Sequence, residues 1–179
     1  PEFQISGLGR NPQGIGAIGK RRCCNGVPAG YGRGMTKIWF DDTLDLEGLT
    51  KGSSDCMPGY VGIEFTAYGD DWLQARMPVN ERTKQPYGRL HGGASVVLAE
   101  TIGSTGAAMT VDRSKFATVG MEINANHIRP VKDGFVTATA RAESIGRTTQ
   151  IWSIRIEDEA GKLVCISRIT MAVIPTDRA

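Results

Sequence analysis

Gln85-Pro86-Tyr87-Gly88-Arg89-Leu90-His91-Gly92-Gly93-Ala94-Ser95-Val96-Val97-Leu98-Ala99-Glu100 runs from a polar turn, through a His-Gly-Gly step, into an apolar helix that carries one carboxylate. The helical pattern extends over about 92–111, and Gly93, Ala94, Gly103, Gly106, Ala107 and Ala108 within it are small. A glycine inside a helix costs about 1 kcal/mol relative to alanine, so glycines there need a packing reason. Close approach of a curved sheet supplies one. Glu100 stands amid Val, Leu and Ala. Burying an unpaired carboxylate raises its pKa or costs several kcal/mol, so the position reads as chemistry before structure.

Around this helix the chain reads as strands. Residues 60–68 and 72–79 are predicted to form a hairpin through Gly69-Asp70-Asp71, with Leu73, Ala75, Met77 and Val79 on one side. Four strands follow the helix, over 117–128, 135–142, 148–157 and 163–174. The turns between them hold Lys132-Asp133-Gly134, Ser144-Ile145-Gly146 and Glu159-Ala160-Gly161-Lys162. The order β-β-α-β-β-β-β predicts an α+β fold, an antiparallel sheet of about six strands wrapped around one long central helix. The alternative is a helix lying across one face of an open sheet. Upstream, Leu44, Leu46 and Leu49 predict a short helix over 43–51, with Thr43 as N-cap and Pro58-Gly59 as the next turn.

At 179 residues the chain has the length of one domain. Residues 1–34 differ from the rest: they hold nine of the 23 glycines and five basic residues against Glu2 alone. Met35 reads as the natural start and 1–34 as a non-native or disordered leader, followed by an N-terminal extension over 35–56 and the folded domain over 57–176. Residues 35–179 carry 16 basic and 18 acidic residues, a mildly acidic body with no nucleic-acid surface. No apolar run approaches a membrane span. Cys23, Cys24, Cys56 and Cys165 show no metal-ligand spacing. They read as free thiols of a reducing compartment, which places the protein in the cytoplasm.

The chemistry centres on the helix. Unpaired N–H groups at its N-terminus and the helix dipole favour a developing negative charge, and Gly92-Gly93 let a carbonyl come close to them. This is the recipe for an oxyanion hole, although a plain glycine-rich turn has the same sequence. Gln85 is a neutral donor able to join it. Glu100 and Ser104, four apart, share a helix face. The carboxylate is suited to attack a carbonyl or activate water, and the hydroxyl to hold that water. The alternatives are a buried ion pair for Glu100 and a small packing residue for Ser104. His91 and Glu100 are nine residues apart, roughly 13 Å at about 1.5 Å per residue. They cannot serve one atom within one subunit. If both act, the helix tip of one chain meets the helix centre of another, in a two-fold dimer with two identical sites.

These residues carry a resemblance. Arg82-Thr83-Lys84-Gln85-Pro86, Leu90 to Ser95, Leu98-Ala99-Glu100, Glu122-Ile123-Asn124-Ala125-Asn126-His127 and Ser167-Arg168 resemble the hotdog-fold acyl-CoA thioesterases of the phenylacetate-degradation type. The likeness is to the branch acting on aromatic acyl-CoAs such as 4-hydroxybenzoyl-CoA and 1,4-dihydroxy-2-naphthoyl-CoA. It spans about 57–174 and carries nothing functional into 1–34. It implies Glu100 as nucleophile or general base, the Gly92 N–H and Gln85 as donors to the thioester carbonyl, His91 as support at that end, and Ser104 positioning water. It implies no metal and no cofactor, coenzyme A being part of the substrate. It also implies a homodimer with shared sites that pairs into a tetramer. By position, coenzyme A would meet Gly120, Asn124, Ala125, Asn126, His127 and Arg129, and Ser144, Ile145, Gly146, Arg147, Thr148 and Thr149. Arg129 and Arg147 suit phosphate, though each alone also reads as a solvated surface arginine.

The leading expectation is hydrolysis of an acyl-CoA to acid and free thiol. A hydratase or dehydratase acting on an acyl thioester is the second reading, and the motif lacks the Pro-rich pattern of that group. A non-catalytic acyl-CoA-binding module is the third, and binding alone does not need Glu100.

Overall fold

The structure is a computed structural model that describes residues 37–178. The leader read over 1–34, Met35, Cys23 and Cys24 lie outside the described residues. Two short helices come first, α1 (Leu46–Gly52) and α2 (Met57–Val61), then strands β1 (Glu64–Tyr68) and β2 (Trp72–Pro78). The long helix α3 (Gly92–Met109) follows, then β3 (Phe116–His127), β4 (Phe135–Ile145), β5 (Thr149–Asp158) and β6 (Leu163–Pro175). The six strands form one antiparallel sheet in the order β1-β2-β4-β5-β6-β3. The expected β-β-α-β-β-β-β order is therefore present, with α3 packed on the sheet in a hotdog fold.

Alternation decides which face is covered. Leu73, Ala75 and Met77 on β2, Val136, Ala138 and Ala140 on β4, and Trp152, Ile154 and Ile156 on β5 are buried against Leu98, Ala99, Ile102 and Ala107 of α3. The glycines of α3 have the close neighbours their cost demanded. A Cβ on Gly103 would lie 2.6 Å from Ile169 Cγ2, and one on Gly106 would lie 3.0 Å from Trp152 Cζ3. Trp39 stacks on Trp152 with ring centroids 6.2 Å apart and donates its indole N–H to the Gly69 carbonyl at 2.6 Å. The extension upstream of the sheet thus contributes to the same core.

Several boundaries differ from the sequence reading. Residues 57–61 are helical where Pro58-Gly59 read as a turn, and the strand read from Tyr60 begins at Glu64. Pro58 sits in the first turn of α2, where its missing N–H costs nothing, and Gly62 ends the helix at φ +78°. The cap of α1 is Asp45, which accepts from the Gly48 N–H at 2.9 Å, not Thr43. Helix α3 stops at Met109, and the Thr110 hydroxyl bonds back to the Ala107 carbonyl at 2.8 Å. Strand β4 continues to Ile145 because a bulge between Ala142 and Ser144 breaks the alternation without ending the ladder.

Strand β3 is an edge of the sheet, and none of its 12 residues is buried. It exposes Phe116, Val119 and Met121, and Ile128 follows just beyond it. A second bulge, between Gly120 and Glu122, bends it.

Candidate functional site

The loop entering α3 is pinned from both sides. Thr83, 1% exposed, donates its hydroxyl to the Pro78 carbonyl at 2.8 Å, and its own carbonyl accepts from the His91 N–H at 2.8 Å. The Leu90 N–H donates to the Val131 carbonyl at 2.8 Å. Between these anchors the Gln85 N–H donates to the Arg89 carbonyl, and Gly88 takes φ +71°. The Gln85 side-chain oxygen accepts from the Tyr87 N–H, and its NH₂ has no acceptor among the described residues.

His91 is the N-cap of α3. Its Nδ1 accepts from the Gly93 N–H at 2.8 Å, so a neutral ring carries its proton on Nε2. The imidazole is turned to the helix end rather than into the adjoining cleft. The Gly92 N–H has no partner among the described residues, as expected at the first helical position. A Cβ on Gly92 would lie 2.8 Å from His127 Nε2, so glycine there lets the β3 histidine reach the helix tip. An open cleft of about 320 Å³ brings Gln85, Gly92, His127 and Arg129 together, along with Arg89 and Ser95.

Glu100 lies elsewhere on α3. Its Oε1 accepts from the Ser104 hydroxyl at 3.0 Å, and that hydroxyl is 3.8 Å from Met171 Sδ. No lysine, arginine or histidine among the described residues forms an ion pair with Glu100, so the structural ion pair weighed from sequence is absent there. Glu100 is half-buried in the single chain, because its carboxylate reaches the exposed strand β3. A Cβ on Gly120 would lie 2.9 Å from Glu100 Oε1.

The residues expected to meet coenzyme A fall into two groups at opposite ends of the sheet. Gly120 pairs with Met171, Met171 with Gln150, and Gln150 with Ile145. Gly120 thus shares one end with Ser144, Ile145, Gly146, Arg147, Thr148 and Thr149. His127 pairs with Cys165 and Cys165 with Ile156, at the other end, where Arg129 also lies. Seven residues of strand at about 3.3 Å each separate the ends by roughly 23 Å. One protomer therefore does not gather the whole set. Asn124 donates to Glu122 at 3.0 Å, and Glu122 approaches Arg168 at 3.6 Å. Asn126 is exposed, and Ala125 packs on the core. Ile145, Gly146 and Arg147 line a second, largely apolar cavity of about 400 Å³ with Phe40, Phe116 and Val173.

Two polar cleft residues, Ser95 and Arg89, are not among the candidates read from sequence. Ser95 stands one turn beyond His91, a spacing that could have marked it. Arg89 enters the cleft only because the Gln85–Arg89 turn closes on itself.

Comparison with known proteins gives one answer. Residues 87–165 match the thioesterase superfamily. The 1,4-dihydroxy-2-naphthoyl-CoA hydrolase of Escherichia coli is 46% identical over 131 residues, covering 73% of this chain and 96% of that one. The proofreading thioesterase EntH of Cronobacter turicensis is 45% identical over 131 residues, covering 73% and 95%. The crystal structure of a mutant thioesterase from Pseudomonas aeruginosa superposes with a TM-score of 0.76 at 48% identity, covering 77% of this chain and 99% of that one. Fold, motif and relatives agree: the chain belongs to the thioesterase superfamily and is a thioester hydrolase.

Proposed function

We propose that the protein hydrolyses an aromatic acyl-CoA to the free acid and coenzyme A, at two sites shared across a dimer. The observation that carries this reading is the split geometry. The carboxylate lies beside Gly120, and the unpartnered Gly92 N–H lies beside His127, seven residues along the same exposed edge strand. Antiparallel pairing of β3 with its copy, centred between Ile123 and Asn124, sets Gly120 opposite the partner's His127. Glu100 then faces the partner's Gly92 and Gln85. Such pairing would also cover an open sheet edge, which proteins otherwise protect, and shield Val119 and Met121.

In this site the thioester oxygen accepts from the partner's Gly92 N–H and Gln85 NH₂. Glu100 either attacks the carbonyl carbon, giving a mixed anhydride that water then opens, or takes a proton from the attacking water. In both routes the C–S bond breaks, the thiolate leaves and takes up a proton, and the acid is released. Ser104 holds the Glu100 carboxylate and the water. His91 fixes the helix tip by capping it. Arg129 and Arg147, at opposite ends of one sheet, are brought toward a common coenzyme by the same two-fold pairing. The residues used call for no metal or cofactor. The aromatic acyl group rests on the name of the Escherichia coli relative. A thioester substrate of this kind and the free thiols Cys56 and Cys165 fit the cytoplasm, and two dimers are expected to pair into a tetramer.

Thiol release from 4-hydroxybenzoyl-CoA tests the assignment. Glu100→Ala should lower turnover by about 10²–10⁴-fold while the protein stays folded. Mixing Glu100→Ala with Gln85→Ala protomers should restore activity, because a hybrid dimer keeps one intact site. With random pairing the recovery is about a quarter of wild type. No recovery from a confirmed hybrid would place both groups in one protomer and end the proposal.

A further inference from the structure

The cleft at the tip of α3 is built of hydrogen-bond donors. Among its polar lining residues are Gln85, Arg89, Ser95, His127 and Arg129, and no aspartate or glutamate contributes to it. Neither Arg89 nor Arg129 forms an ion pair among the described residues. Arg89 is half-buried rather than fully solvated. Ser95 is 2% exposed. Its hydroxyl makes no hydrogen bond to the described protein, yet no fully buried side-chain oxygen there lacks a partner. The hydroxyl therefore opens on the cleft. A half-buried arginine without a counter-ion among the described residues, beside an unmatched hydroxyl and a helix N-terminus, favours an oxyanion.

The carbonyl oxygen does not account for Arg89, since the Gly92 N–H and Gln85 already serve it. We infer that Arg89 is a substrate-binding residue that takes a second oxyanionic group of the thioester, with Ser95 as the donor on the cleft floor. That group is either a phosphate of the carrier or a carboxylate on the acyl portion. The guanidinium presents a planar fork to either one. The inference rests on the acyl-CoA reading above and deepens it by naming a contact that selects the substrate.

Arg89→Gln and Arg89→Lys are tested with three substrates: benzoyl-CoA, S-benzoylpantetheine, which lacks the phosphates, and a carboxybenzoyl-CoA. Loss of a charged hydrogen bond in uniform binding should raise KM on the order of tenfold with little change in kcat. Arg89→Lys should recover part of it. A rise for both CoA esters but not for the pantetheine ester assigns the phosphate. A rise confined to the carboxybenzoyl ester assigns the acyl carboxylate. Unchanged KM for all three, or an equal rise for all three, overturns the inference. If wild-type protein hydrolyses none of them, the acyl-CoA reading fails instead. Ser95→Ala should shift KM in the same arm, by less, at unchanged thermal stability; no shift would remove Ser95 from the contact.

Discussion

Gly120→Ala separates the proposed chemistry from stability. Gly120 lies on β3 beside its bulge and is not in the left-handed region, and alanine there removes a glycine entropy cost of about 0.5–1 kcal/mol. The added Cβ would sit 2.9 Å from Glu100 Oε1, against an ordinary contact of about 3.5 Å. The atom it meets is the end of a flexible side chain, so relief is cheap and the fold is not harmed. Relief nevertheless moves the carboxylate by about half an ångström, and it strains the 3.0 Å bond from Ser104. Misplacing a reacting group by about 1 Å can cost 10²-fold, so kcat should fall roughly tenfold or more. The melting temperature should hold or rise by a few degrees. Thiol-release kinetics, differential scanning calorimetry and gel filtration give the three readouts. Unchanged kcat in a stable dimer would mean that the Glu100 position beside Gly120 is irrelevant to catalysis.

Two further outcomes test the packing and the thiols. Gly103→Ala gains about 1 kcal/mol of helix propensity but sets a Cβ 2.6 Å from Ile169 Cγ2, an overpacking cost of about 1–3 kcal/mol. Ile169→Ala costs about 2–5 kcal/mol alone; urea unfolding of the double variant should show about 1–3 kcal/mol less destabilisation than the sum, whereas additivity would deny the contact. Cys56 is exposed, while burial pushes the Cys165 thiol up, so iodoacetamide with peptide mapping should label Cys56 in native protein and Cys165 only after unfolding. Equal labelling rates would contradict that burial.

The sheet was legible because its covered face follows a period of two. Leu73-Ala75-Met77 and Trp152-Ile154-Ile156 announce themselves in sequence and are fully buried. Where local geometry interrupts the period, reading fails. The β4 bulge hid three residues of strand, and the start of α2 looked like a turn because Pro58-Gly59 serves both. Asp45 displaced Thr43 as a cap because helix α1 begins two residues later than its leucines suggest. None of these errors moves the elements of the candidate site, because the long helix and its packing against β3, β5 and β6 do not depend on them.

The site was legible only as far as chemistry is local. The cost of Glu100 in an apolar run, and the rise of α3 between it and His91, are written along one helix and required no tertiary knowledge. The rest depends on what a residue makes room for. Gly92, Gly103 and Gly120 look alike in sequence. In the fold they admit an imidazole, an isoleucine methyl and a carboxylate, respectively. Arg89 is likewise an ordinary loop arginine until the turn closes and sets it in a cleft at a helix tip that no aspartate or glutamate lines. Half-buried Glu100 at one end of the edge strand and an unmatched Gly92 N–H at the other are the two halves that, in the dimer we propose, a second copy laid antiparallel would join. In the proposed dimer the edge strand is the most sensitive element, since a substitution that shifts its pairing by one residue would turn the partner's helix tip away from Glu100.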